Sequence, residues 1–371
     1  MITKRQMLVF AAWLLFFQVS VRPARAQTVK ITPLGARTGD FCVRDRALLF
    51  EDPTGVRILY DPGTTVAGGT DARLGEVHAI LLSHAHADHM GDGKLNQDPN
   101  SDSAICNAAP PTTPAPNTNV AEIAAAKNSA VIAGPPLASF LGAKIRAAAG
   151  SNSPTAGCPG AGLTNEMTFP RTAPCTGGTG LGAKRTLRLL PATQGVQVAA
   201  VTAEHPNELS PAFIPDPSSF VSNGLPGAYV GLANGFVLTF TNGLSVYLSG
   251  DTGLTNDMKD VVNAYYRPAL SVINIGDSFT IGPQEAAFAV TNLLRTNSVI
   301  PSHANEAATN RGVVVSGTRT ERFIQLASQG LSVDTVRDFF INRSVSVFVP
   351  LSGVTVEFDG SGRCVTGCQG H

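Results

Sequence analysis

The run His84-Ala85-His86-Ala87-Asp88-His89 follows directly on the apolar segment Ala79-Ile80-Leu81-Leu82-Ser83, so that four potential metal ligands fall within six residues at the end of a predicted strand. Imidazole nitrogens and carboxylate oxygens are the donors that a borderline divalent cation such as Zn²⁺ takes. On an extended chain His84 and His86 turn the same way, and Asp88 and His89 then face elsewhere, towards a second metal. A chain built around this run must fold so that further ligands arrive at the end of the same strand.

The seven histidines narrow the choice of those ligands. Besides the three in the motif, His205 and His303 follow or end the strand-like runs 196–203 and 298–302, the position where the loops of an α/β fold converge. His78 reads as a solvated residue at the start of a strand, and His371 has no structured setting. An acidic partner stands in Tyr247-Leu248-Ser249-Gly250-Asp251-Thr252-Gly253, where Gly250 and Gly253 allow a tight turn that leaves Asp251 at the strand's carboxyl end. Two metals in one site need a bridging anion, which gives Asp251 its role.

Residues 1–26 have the layout of a secretory signal peptide: Lys4 and Arg5, an apolar core over 7–19, and Ala24-Arg25-Ala26 before Gln27. The core is too short to span a bilayer, and no later run approaches the required ~20 apolar residues. An exported protein, periplasmic or secreted and without a membrane anchor after cleavage, is expected. Export also makes disulfides permissible for Cys42, Cys106, Cys158, Cys175, Cys364 and Cys368. Cys364 and Cys368 are close enough to close a small loop, and the other pairings stay open. Formal net charge is zero, with no Lys/Arg cluster. That excludes nucleic acid as the expected partner and leaves a small-molecule substrate.

Short strands are predicted at 29–34, 47–51 and 56–61 before the motif, with helices at 120–127 and 137–148 and a strand at 129–132 after it. Further strands follow at 187–191, 196–203, 235–241, 244–249, 270–275 and 299–302. Pro283 starts a helix with Ala286, Ala287, Val290, Leu293 and Leu294 as its apolar stripe. Residues 345–349 and 354–358 read as a closing hairpin, and 359–371 as a polar tail. Segments 97–118 and 150–182, rich in Pro, Gly, Ser and Thr, read as insertions within one domain spanning 27–358, because candidate ligands lie on both sides of them.

With these residues in view, the chain resembles the metallo-β-lactamase superfamily, whose HxHxDH motif stands here as His84, His86, Asp88 and His89. The stretches Gly250-Asp251-Thr252-Gly253-Leu254, Gly282-Pro283-Gln284-Glu285-Ala286-Ala287 and Val299-Ile300-Pro301-Ser302-His303 are similar to the hydrolases grouped with ascorbate-6-phosphate lactonase. The resemblance implies an αββα sandwich and two divalent metal ions, with zinc first and manganese or iron as alternatives. One metal position is implied for His84, His86 and His205, the other for Asp88, His89 and His303, with Asp251 bridging. It further implies hydrolysis by a metal-bridging hydroxide that Asp88 orients and whose proton Asp88 relays. Asp277, Thr280, Asn305 and Glu306 are candidate supporting or substrate contacts.

The expected reaction is opening of a lactone or related ester. Phosphodiesterase action on small phosphate esters is the alternative, followed by a β-lactamase-like amidase and a non-catalytic metal-stabilised binding protein. The common lactamase branches lack a bridging aspartate. A di-iron oxidoreductase of the same fold generally needs a carboxylate where His86 stands.

Overall fold

Ile58 and Tyr60 are buried in one core while the intervening Leu59 is buried in another, and the same split separates Val246 and Leu248 from Tyr247. A strand whose alternate side chains enter different cores lies in a sheet covered on both faces, which is why these runs are almost wholly apolar. In the computed structural model, which describes residues 27–109, 117–150, 157–158, 165–214, 218, 222–224, 227–329 and 344–368, two such sheets pack face to face. The predicted signal peptide and His371 lie outside the described residues.

The first eight-stranded sheet runs, from edge to edge, Cys364–Thr366, Val356–Phe358, Val29–Pro33, Leu48–Glu51, Arg57–Tyr60, Ala79–Leu81, Ala130–Ala133 and Cys175–Gly178. The second runs Ser346–Val347, Ser298–Ser302, Leu270–Asn274, Ser245–Leu248, Asn234–Thr239, Val196–Thr202, Lys184–Leu189 and Glu166–Phe169. Phe50, Ile58, Leu81, Phe236, Leu248 and Val272 fill the space between the sheets. Helices Asn119–Lys127 and Pro135–Ala149 cover the outer face of the first sheet. Helices Pro283–Phe288 and Arg319–Gln329 cover that of the second. The architecture is therefore the expected αββα sandwich.

Local chemistry sets the helix ends. Thr118 accepts the Ala121 N–H at 3.1 Å to start Asn119–Lys127, and Asn128 ends it in the left-handed conformation at φ 53°. Pro135 and Pro136 open the next helix, where the missing N–H costs nothing. The predicted stripe from Ala286 to Leu294 is core, but its helix widens after Phe288 into i→i+5 winding over Ala289–Leu293.

Three expectations need correction. The segments read as a closing hairpin separate: Ser346–Val347 pairs in parallel with Ser298 in the second sheet, whereas Val356–Phe358 lies antiparallel to Val29–Pro33 in the first. The true hairpin joins Val356–Phe358 to Cys364–Thr366, so part of the polar tail is an edge strand. Segment 150–182 is no mere insertion, for it contributes Cys175–Gly178 to one sheet and Glu166–Phe169 to the other. Both are edge strands, and an edge needs only one partner and little apolar run to form. The cysteines pair as Cys42–Cys106, Cys158–Cys175 and the expected Cys364–Cys368.

Strand direction decides where the motif sits. Arg57–Tyr60 and Ala79–Leu81 are parallel, as are Ser245–Leu248, Leu270–Asn274 and Ser298–Ser302. Val196–Thr202 shares the latter direction because it lies two antiparallel steps from Ser245–Leu248. The loops after all these strands emerge together, and they carry His84, His205, Asp251 and His303.

Candidate metal centre

The motif keeps extended geometry through His86, at φ −67° and ψ 150°, and then turns into the four-residue helix Ala87–Met90. That change of geometry separates the side chains into two groups. Donor atoms of His84, His86 and His205 lie within 4.8 Å of one another, as do those of Asp88, His89 and His303. A third such group, His84, His89 and Asp251, joins the two. Asp251 Oδ2 stands 3.7 Å from His205 Nε2 and 3.0 Å from His303 Nε2, and its Oδ1 stands 3.3 Å from His89 Nε2. One carboxylate thus reaches both triads.

The donor set fits cations. His84 Nε2, His89 Nε2 and Asp251 Oδ1 are buried without a hydrogen bond, and each such atom left unmet costs about 1–3 kcal/mol. His205 Nε2 and His86 Nδ1 face each other at 3.2 Å, near the spacing of about 3.3 Å that donors around a tetrahedral ion with bonds of roughly 2.0–2.1 Å require. Burial holds the His84 imidazole well below its ordinary pKa and His205 down to about 4, so both rings are neutral near pH 7, the form that binds metal. Burial also disfavours charge on His89, yet Asp251, Asp88 and Asp61 overcome it and push its pKa well up. The same carboxylates would attract a metal ion held beside them. Burial opposes ionisation of Asp251 and Asp88, but the facing histidines, and Arg46 at Asp88, hold both carboxyls well below the usual range.

Support for these groups comes from residues that sequence reasoning passed over. Asp61, read only as part of a turn, accepts His89 Nδ1–H at 2.8 Å, the Ser83 hydroxyl at 2.7 Å and the Ser83 N–H at 2.8 Å. Its signal was a carboxylate at the end of the strand next to the motif strand. Arg46, with 3% of its side chain exposed, reaches Asp88 Oδ2 at 3.2 Å, and nothing local in the sequence announces it. Asn207 accepts the Ala85 N–H at 2.8 Å and pins the loop between the first two motif histidines. Glu208 lies 3.8 Å from His86 Nε2. At Gly250 the backbone takes φ 60°, as the turn before Asp251 demands, whereas Gly253 has no positive φ.

Of the four supporting candidates, only Asn305 lines the cavity beside the cluster. Glu306 instead accepts the N–H groups of Arg319 and Thr320 at 3.0 and 2.9 Å, capping their helix. Thr280 donates to the neighbouring Ile281 carbonyl, and Asp277 Oδ1 lies against Gly282. His78 is not solvated as expected: its Nδ1 accepts the Arg57 N–H at 2.9 Å and its ring packs edge-on against Phe169.

The cavity holds about 580 Å³, within the usual range for small-molecule sites. His86, Asp88, His205, Asp251 and His303 form its floor, and Pro206, Phe279 and Arg319 contribute to its walls. A larger hollow of about 880 Å³, lined by Arg37 and Arg311 among others, includes none of the histidines and has no bearing on the cluster.

Residues 43–303 match a beta-lactamase superfamily domain. The chain belongs to the metallo-β-lactamase superfamily. Within that superfamily it is similar to a UPF0173 metal-dependent hydrolase of Cupriavidus necator, at 29% identity over 260 residues that cover 68% of each protein. A second UPF0173 metal-dependent hydrolase, from a Polaromonas species, is 36% identical over 139 residues, which are 38% of this chain and 46% of the relative. Among solved structures, Igni18, a metallo hydrolase from Ignicoccus hospitalis, aligns with a TM-score of 0.52 at 20% identity. The alignment covers 90% of this chain and 99% of that one, and it supports the shared fold.

Proposed function

We propose that this metal-dependent hydrolase of the metallo-β-lactamase superfamily works with two divalent metal ions, zinc foremost, to open a lactone or related ester outside the cytoplasm. The observation that carries the reading is the buried Asp251 carboxylate, which reaches both triads at the floor of an open cavity. His84, His86 and His205 would hold one metal, Asp88, His89 and His303 the other, and Asp251 would bridge them. When bound, such a pair supplies Lewis acidity and an acidified water.

The chain's own groups would do the rest. Asp88 Oδ2 is engaged by Arg46 and approached by His303 Nε2 at 3.2 Å. Its Oδ1 has no partner among the described residues and is the atom that would orient the attacking water and hold its proton. Pro206 and the exposed Phe279 would offer the substrate an apolar surface. Pairing of all six cysteines in disulfides supports export. Among the described residues no helix is long and apolar enough to cross a membrane.

Arg319 on the cavity wall favours a second reading, phosphodiesterase action on a small phosphate ester. Metal-loaded protein assayed against aryl esters, lactones and phosphodiesters separates the two. The expected result is ester or lactone turnover that falls by about 10³-fold or more in His86→Ala and Asp251→Asn, while both variants keep their circular dichroism. Undiminished turnover in those variants sinks the reading.

A further inference from the structure

We infer that Asn305 is a catalytic residue of this site, one whose side-chain amide donates to the substrate oxygen that gains negative charge as the nucleophile adds. The inference rests on the hydrolytic reading above. Asn305 Oδ1 accepts from Arg46 Nη2 at 2.7 Å. A guanidinium carries donors only, so the amide oxygen must face Arg46 and the orientation of the amide is decided by chemistry. The Nδ2 group is thereby turned the other way, and it has no partner among the described residues. It lies beside Gly276, at the position a side chain there would fill: an added Cβ would come within 2.7 Å of Asn305 Nδ2 and 2.8 Å of His303 Nδ1. Gly276, Asn305, His303 and Asp88 all line the same cavity. Two unspent N–H donors therefore belong to a residue that lines this cavity, close beside His303.

The backbone is arranged to hold them there. His303 and Asn305 both take left-handed conformations, at φ 50° and 55°, around the buried Ala304. Such conformations cost free energy for any residue but glycine, least for asparagine and aspartate, and they cluster at sites where a side chain must be aimed. Arg46 is itself held rigidly, because Nη1 donates to the Val43 and Asp45 carbonyls at 3.2 and 3.1 Å. The amide is thus fixed before substrate arrives, which is the condition under which a neutral donor stabilises a developing oxyanion. As the nucleophile adds to the carbonyl carbon, or to phosphorus in an ester of phosphate, the π or P=O electrons shift onto oxygen. The Asn305 donors bind that oxygen and transfer no proton to it.

Asn305→Gly keeps the left-handed backbone and deletes the donors, and Asn305→Asp keeps the acceptor for Arg46 but replaces Nδ2 by an oxygen. With the best ester or lactone of the screen, both variants are expected to lose about 10²–10³-fold in kcat with KM within a few-fold of wild type. Metal content by mass spectrometry should stay at the wild-type value. Calorimetric affinity for phenylboronic acid, a probe that presents a tetrahedral anion, should fall in parallel. A kcat within threefold of wild type in Asn305→Gly, or a loss explained by missing metal, overturns the inference alone. Absence of all turnover in the wild-type protein overturns the hydrolytic reading and this inference with it.

Discussion

Asp61 shows how a single carboxylate fixes a neighbouring ring. By accepting His89 Nδ1–H it fixes the ring so that Nε2 points at Asp251 and Asp88. Asp61→Ala should weaken metal binding by about 10–100-fold, as read by competition with a chromophoric chelator. Asp45 makes a different point, because its buried carboxyl is a stability liability. Burial pushes its pKa up to about 6, against the opposing N–H donors of Cys42 and Ala36 and the charges of Arg46 and Arg73. The folded pKa lies above the unfolded one of about 3.9, so the folded state holds the proton more tightly and this stabilisation is complete below pH ~4. It is lost as pH rises to about 6, by roughly 3 kcal/mol. Urea denaturation between pH 4 and pH 7 should show this slope in the wild type and not in Asp45→Asn, and equal slopes would refute the assignment.

At the scale of elements, the edge strand Cys364–Thr366 ties the end of the chain into both sheets. It pairs with Val356–Phe358, and the turn before it accepts Ser298 Oγ–H at Gly362 and Asn297 Nδ2–H at Ser361, at 2.6 and 2.9 Å. A protein ending at residue 358 should lose roughly 2–4 kcal/mol, because buried Ser298 would keep a donor with no acceptor and a sheet edge would be bared. The shift of its urea midpoint tests this, and an unchanged midpoint would mean the tail is dispensable. Strands buried on both faces, such as Arg57–Tyr60 and Leu270–Asn274, were legible because nothing but a run of apolar residues satisfies two cores. Edge strands were not. Glu166–Phe169 and Cys175–Gly178 need only one partner, so their sequences carry turn-like residues that read as loop.

Across the whole molecule, the proposed ligands come from both halves of the sandwich. His84, His86, Asp88 and His89 follow the first sheet, and His205, Asp251 and His303 follow the second. Bound metal would therefore clamp the sheets at one end. Chelation should lower the melting temperature by an amount equivalent to about 2.7 kcal/mol when free metal had stood at 100 times its Kd. Re-addition of zinc should restore it, and His86→Ala should show a smaller shift; a melting temperature indifferent to chelator would refute the clamp. The sequence by itself determined the buried strands, the motif and the identities of the seven clustered side chains, because donor chemistry and burial leave local marks. Only the tertiary structure decided what surrounds them. Arg46 sits on Asp88 and Asn305, Asp61 on His89, and Gly276 packs closely against His303 and Asn305, through contacts between residues as far apart as 259 positions. Such contacts depend on how strands are ordered and aligned across two sheets, and no local run of residues records that.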